Sequence, residues 1–203
     1  LVPSLVFEEL PLPQRIIRDL ANENTTKIQV DSREVFAKLQ EFVEEFVPMM
    51  STRLKHYPGE CPIFDIYNVE ADIQKALQTR VALKSGGYLM IDQTEAMTTI
   101  DVNTGSYVGG RTLEDTVFKT NMEATQVIVR QLRLRNLGGI IIIDFIDMQE
   151  ASHRDEVLQQ FEKVLERDHA KTKITQVSEL GLVEMTRKRT RESLEHLLCE
   201  SCP

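Results

Sequence analysis

A mixed α/β fold, of the α+β kind, is what this sequence predicts, and three patterns predict it. Residues 88–92 and 97–103 alternate as strands, with Gln93-Thr94-Glu95-Ala96 between them as a hairpin turn. A long helical stretch follows, carrying Leu113, Val117, Ala124, Ile128 and Leu132. Residues 140–146 then read as a central strand, because they are apolar at alternate and at successive positions alike. Strand, helix, strand is the progression that returns one strand to the sheet of the other.

The remaining elements follow in order. Residues 13–21 place Ile16, Ile17 and Leu20 opposite Arg15, Arg18 and Asp19, as an amphipathic helix does. Residues 27–30 alternate like a short strand. Ser32 is placed to cap a helix carrying Val35, Leu39, Phe42, Val43 and Phe46, which Pro48 stops. A Pro/Gly loop at 57–62 leads to a helix opened by Asn68, running through Val69, Ile73 and Leu77 to about Arg80. Ser85-Gly86-Gly87 is a turn before the hairpin, and a glycine-punctuated loop at 104–110 follows it. Thr112 and Asp115 resemble a capping box for the long helix, with Asp in place of Glu, and Gly138-Gly139 closes it. Ser152 caps a helix carrying Val157, Leu158, Phe161, Val164 and Leu165. Short strands at 173–177 and 182–186 and a helix at 190–198 complete the chain.

The 203 residues carry a net charge of −8 and are 41% hydrophobic, enough for one substantial core or two modest ones. No apolar run approaches the roughly 20 residues of a membrane span. The start, Leu1 to Leu12, lacks the basic and apolar pattern of a secretory signal, so the chain reads as a piece of something longer, cytoplasmic by expectation. Overall acidity gives no argument for a nucleic-acid partner. Local clusters do: Arg130, Arg133 and Arg135 fall together, as do Arg187, Lys188, Arg189 and Arg191. Either cluster alone is compatible with a solvated helix face, but with acids nearby the two suit a phosphate-bearing ligand. Cys61 stands alone and fits a small core residue. Cys199 and Cys202 form a CxxC, half of a zinc site or a redox pair.

Two carboxylates carry the chemical signal. Asp101 lies in MTTIDVNTG and Asp144 in GGIIIIDFIDM, where burial in a strand costs several kcal/mol unless the charge is compensated. Alternation puts Met97, Thr99, Asp101 and Asn103 on one face of their strand. Asp144 falls near the carboxyl end of its strand, where open α/β sheets place ligands. A lone acid here could as well cap a turn or pair with an arginine. Two acids with an amide make an oxygen-rich set without sulfur or imidazole, suited to Mg²⁺ or Mn²⁺. Alternation points Asp147 to the opposite face, at a strand exit or in a salt bridge, and Asp92, at the end of the first hairpin strand, is placed to reach the site but is explained equally by hairpin closure. Gly105, Gly109 and Gly110 make no P-loop, and none of His56, His153, His169 and His196 sits in a triad-like arrangement.

With those residues in view, IDQTEAMTTIDVNTG, TNMEATQVIVRQLRLRNLGGIIIIDFIDM and GLVEMTRKRTRESLEHLLCESCP resemble the catalytic region of the ribonuclease E/G family, the last segment being closer to its ribonuclease G branch. The resemblance implies an endoribonuclease that cuts single-stranded RNA with a divalent ion, in RNA processing (rRNA included) and decay, leaving a 5′-phosphate and a 3′-hydroxyl. It matches Asp101 and Asp144 to metal-binding aspartates and Asn103 to an asparagine that orients the scissile phosphate. It implies a DNase I-like catalytic subdomain at about 77–200, packed with a partial RNase H-like subdomain at 13–76, and the tail of a 5′-sensor region at 1–12. Residues 201–203 begin a zinc-link in which Cys202 is the first cysteine; Zn²⁺ and a homo-oligomer are implied for the full-length protein alone. Lys171, Arg187, Lys188, Arg189 and Arg191 make up the expected RNA-binding set. A second hypothesis is a non-catalytic RNA-binding or assembly module, whose carboxylates are structural and whose chemistry needs the S1 and sensor domains.

Overall fold

The fold comes from a computed structural model that describes residues 9–105, 113–174 and 182–199. The chain divides into two compact units, Leu1–Glu70 and Ala71–Pro203.

In the first unit, α1 (Leu12–Leu20) and α2 (Arg33–Phe46) turn Ile17, Leu39, Phe42 and Val43 inward, against Met50 and Leu54. The Ser32 hydroxyl accepts the Val35 N–H at 3.3 Å, the expected cap. Pro48 opens a 3-10 turn (Pro48–Met50) just past α2. Strands β1 (Ile28–Val30) and β2 (Leu54–His56) pair in parallel, Ile28 against Leu54. The Arg53 guanidinium fastens this pair to the preceding loop by donating to the carbonyls of Asn22, Glu23 and Thr25. Helix α3 (Ile63–Ile66) and the first residues of α4 (Val69–Ala76) follow. Three- and four-residue elements such as β2 and α3 are too short to show a period, so no sequence pattern marks them.

The second unit is a six-stranded sheet in the order β3-β4-β5-β6-β8-β7. Its strands are β3 (Arg80–Ala82), β4 (Tyr88–Gln93), β5 (Met97–Asn103), β6 (Gly139–Asp144), β7 (Thr172–Ile174) and β8 (Leu182–Arg187). β5 and β6 pair in parallel, joined by α5 (Leu113–Leu134); the other neighbours are antiparallel. α5 and α6 (Ala151–Leu165) pack on one face. There Leu89, Ile91, Ile100, Val102, Ile141, Ile143, Val183 and Met185 meet Ala124, Ile128, Leu132, Val157 and Phe161. Fully burying one such side chain contributes about 1.5–3 kcal/mol, so this face holds the unit together.

Several boundaries differ from the sequence reading. The helix expected to reach Arg80 ends at Ala76, and Arg80–Ala82 instead becomes an edge strand bonded to β4. α5 is closed not by Gly138-Gly139 but by Asn136, which takes φ 51° while the Asn136 N–H bonds the Arg133 carbonyl and the Leu137 N–H the Leu132 carbonyl. Gly139 has its own reason to lack a side chain, with φ +93° and the Arg189 guanidinium against it. β6 stops at Asp144, two residues short of the expected end. α6 begins at Ala151 with Glu150 as its cap residue, so Ser152 lies inside the helix. α7 (Leu194–Leu198) is capped by Ser193, shorter than the expected 190–198. The Thr112 cap, the glycines at 109 and 110, strand residues 175–177 and Cys202 lie outside the described residues. No described helix is long and apolar enough to cross a membrane.

Candidate active site

Register partners share a face of a sheet, so the ladder reads as rows across it. One row is Arg80, Met90, Asp101, Asp144 and Leu182. Asp101 and Asp144 are direct partners on adjacent strands, whose backbones lie about 4.8 Å apart. Both side chains point away from α5 and α6 and are exposed. This corrects the expectation that the strands bury them. Helices cover one face of the sheet, and the apolar residues of the other face do not form a closed core: Ile140 is 48% exposed. An isoleucine run shows that a strand is central but not which face is covered.

Asn103 shares the face with Asp101, as alternation requires, and its amide donates to the Asp101 carboxylate at 2.8 Å. Gly87 permits the close strand pairing there, since a Cβ would come within 2.5 Å of the Asn103 carbonyl oxygen. Partial burial pushes the Asp144 carboxyl above its ordinary range, and the nearby charges of Asp101 and Asp147 add to the rise. Asp147 was expected on the far side. With β6 ended at Asp144, strand alternation no longer governs it, and its charge reaches Asp144.

The exit of β6 is fixed by a residue that the sequence reading passed over. Asn121 is fully buried in α5; its amide donates to the Ile146 carbonyl at 2.8 Å and accepts the Ile146 N–H at 3.1 Å. This two-bond clamp holds the backbone two residues beyond Asp144. Asn121→Ala is expected to lower stability by about 2–4 kcal/mol in urea denaturation, because two backbone groups lose their partners at about 1–3 kcal/mol each. Arg80 and Tyr88 were also missed: the Arg80 guanidinium lies 4.0 Å from the Tyr88 ring centroid, and Tyr88 is the register partner of Asn103. Reading β3 as the end of a helix hid them.

The expected RNA-binding set is only partly exposed. Lys171, Lys188, Arg189 and Arg191 are exposed, and the Lys188 N–H bonds the Lys171 carbonyl at 2.9 Å. Arg187 is a correction. At 5% exposure it is paired with Asp168 at 2.7 Å and also donates to the Leu137 carbonyl. β8 pairs on both sides, and its alternation turns Arg187 inward with Val183 and Met185. The sheet also separates this cluster from the acids: Leu182 lies opposite Asp144 and Arg187 opposite Gly139, so about 17 Å of strand intervenes. Arg189 and Arg191 instead line a 620 Å³ hollow with Gln93, Asn136 and His196.

As a donor set, Asp101 and Asp144 offer hard oxygen ligands that form no ion pair among the described residues, which suits Mg²⁺ or Mn²⁺. No group of three or more His, Cys, Asp or Glu side chains able to hold a metal occurs among the described residues. The fit is therefore to an ion held by few protein ligands and completed by water and substrate, as Mg²⁺ commonly is.

Comparison with known proteins bears on whose site this is. The family model described as "Ribonuclease E/G family" matches residues 1–190. The chain belongs to the ribonuclease E/G family. It is 60% identical to Ribonuclease G of Salmonella typhimurium (strain SL1344) over 198 residues, covering 98% of this chain and 40% of that protein. To Ribonuclease G of Haemophilus influenzae it is 58% identical over 200 residues, covering 98% and 41%. To Ribonuclease E of Nostoc sp. (strain PCC 7120) it is 39% identical over 204 residues, covering 99% and 30%. The chain thus spans about 40% of the length of the ribonuclease G relatives it matches. Within the ribonuclease E/G family its likeness to these ribonuclease G sequences exceeds that to this ribonuclease E.

Proposed function

We propose that this chain is the catalytic core of a Mg²⁺-dependent endoribonuclease that hydrolyses single-stranded RNA to 5′-phosphate and 3′-hydroxyl ends. The observation that carries the reading is the row shared by Asp101 and Asp144, with Asn103 hydrogen-bonded to Asp101 on the same face. In the reaction, water adds to phosphorus, the bond from phosphorus to the 3′ oxygen breaks, and that oxygen leaves as a hydroxyl after taking up a proton. A bound Mg²⁺ or Mn²⁺ would supply charge neutralisation and water activation for this step. Asp101 and Asp144 would hold the ion, each fixed by the strand that carries it. Asn103 spends one amide hydrogen on Asp101, which sets the carboxylate's orientation, and keeps a second for a phosphate oxygen. The exposed cations Lys171, Lys188, Arg189 and Arg191 would hold RNA backbone at the far end of the same strands. The DNase I-like and RNase H-like subdomains, the zinc-link at Cys202 and a homo-oligomer belong to this same reading.

Incubation of the chain with a 5′-monophosphorylated single-stranded oligonucleotide tests it. Mg²⁺ is expected to give fragments with 5′-phosphate and 3′-hydroxyl ends, and EDTA to stop the reaction. Cleavage that survives EDTA, or that leaves 2′,3′-cyclic phosphate ends, would exclude the proposed mechanism. Because the chain spans about 40% of its ribonuclease G relatives, a second reading stands beside the first: a module that binds RNA without cutting it. Binding with no Mg²⁺-dependent product would favour the second.

A further inference from the structure

The helical side of the second unit carries a charged feature that the nuclease reading leaves unused. Between α5 and α6 runs a groove of about 870 Å³ lined by Lys84, Arg130, Arg133, Lys163 and Arg167, with Glu123 as its acid. Both oxygens of Glu123 are taken by the N–H groups of Lys84 and Ser85, at 2.5 and 3.0 Å. None of the five cations forms a direct ion pair among the described residues, whereas Lys38 pairs with Glu34 and Arg18 with Asp19 elsewhere on the surface. Such a concentration of cations in a chain of net charge −8 creates a local positive field against the overall balance. Of the three arginines that cluster in the sequence, Arg135 turns inward and is 5% exposed. Arg130 and Arg133 remain outside, where α6 and the β3–β4 turn bring them their company.

The groove does not stop at the helices. Arg130 and Leu134 also line a second hollow of about 570 Å³ along the edge strand β3, together with Lys75 and Arg80. Lys75 is partly offset there by Asp72 at 3.7 Å. Arg80 in turn lies over Tyr88, the register partner of Asn103. Cationic side chains therefore lead from the helical groove, round the edge of the sheet, to the face that bears Asp101 and Asp144.

We propose that the groove between α5 and α6 is a second binding site for the phosphodiester backbone of single-stranded RNA, holding the part of a strand that extends past β3 from the carboxylate face. The proposal rests on the nuclease reading for its choice of ligand. Exposed lysines and arginines in no direct ion pair among the described residues, with no aromatic side chain among them, suit phosphates along a strand and not its bases, so the site is indifferent to sequence.

Fluorescence anisotropy in EDTA, with a 20-nucleotide and a 4-nucleotide RNA, tests this without relying on cleavage. The longer RNA is expected to bind the chain more tightly. The triple variant R130Q/K163Q/R167Q should weaken its binding roughly tenfold or more. It should also flatten the slope of log K against log salt by about 2, at about 0.7 per lost phosphate contact on a single strand. Binding of the 4-nucleotide RNA should not change. The single variants R130Q and K163Q should each flatten the slope by about 0.7, and R130K/K163R should restore it. Unchanged thermal midpoints would show that the variants fold. Equal affinity for the two RNAs, or an unchanged slope in the triple variant, would overturn the proposal; so would an equal loss for the short RNA. Absence of Mg²⁺-dependent cleavage with the length preference intact would count against the nuclease reading and leave the groove standing. The converse result would remove the groove alone.

Discussion

Asp144→Asn is expected to lower RNA cleavage about a thousandfold, and Asp101→Asn by a similar factor, in single-turnover assays with Mg²⁺. The amide keeps the shape of the side chain but removes the charge that would hold the ion. Metal-assisted charge stabilisation supplies several kcal/mol to a transition state, and each 1.36 kcal/mol is a factor of ten. The two substitutions should not add, because both remove the same ion. A near-normal rate in either variant would refute the assignment.

The same substitution at Asp144 separates chemistry from stability. Burial and the charges of Asp101 and Asp147 raise the Asp144 pKa in the folded chain. As pH rises through the interval between the unfolded and folded values, the unfolded chain loses this proton first. The folded state then binds more protons, and its stability falls with rising pH. At neutral pH the ionised side chain is a net cost, so Asp144→Asn should leave thermal stability equal or slightly higher while activity collapses. A nuclease-dead variant that melts much earlier than the parent would point to a structural carboxylate instead.

Asp168→Ala should have the largest effect on stability, about 3–5 kcal/mol by urea denaturation, because it strands the Arg187 guanidinium in the core. The two side chains are 5% and 3% exposed, and the bonds run in parallel at 2.7 and 3.1 Å. Burial alone would push the Asp168 carboxyl upward. The Arg187 hydrogen bonds, the Ala170 N–H and the charges of Arg187 and Arg133 outweigh it and hold the carboxyl below its usual range. The sign of the pH dependence follows. The pair's full contribution is present above the unfolded value, about 3.9 for an aspartate, and is lost as pH falls through the lower folded value. Asp168→Asn should remove most of that acid sensitivity, read as the midpoint of acid unfolding by circular dichroism.

What was legible in the sequence was local. Alternation over residues 97–103 placed Asp101 and Asn103 on one face, and their 2.8 Å hydrogen bond agrees with it. The Ser32 cap and the helical spacings of α2, α5 and α6 were also open to reading, since each is settled by side chains within one or two turns. What escaped depends on distant partners. Arg187 sits in a run of basic residues that reads as surface, and it is interior because Asp168, 19 residues away, meets it there. Asn121 looks like an ordinary polar residue of a long helix until Ile146 is brought against it. β3 has three residues and no period, so Arg80 could not be assigned to the face of the acids. Exposure of that face is likewise a property of what packs on the sheet, which no strand announces by itself.

The shared row of Asp101 and Asp144 gives the core a second duty. Spacing between the two acids is set by the distance from one backbone to the next, so neither rotamer choice nor loop length determines it. A slip of one residue between β5 and β6 would leave that distance intact and turn one strand's acid to the helix side, among Ile100, Ile143 and Val102. The greasy side chains that forbid this slip lie buried on the helix side, away from both acids. They select, among otherwise equivalent hydrogen-bonded alignments, the one in which both acids emerge on the same side, and in that sense the hydrophobic pattern of two strands is part of the address of the proposed site.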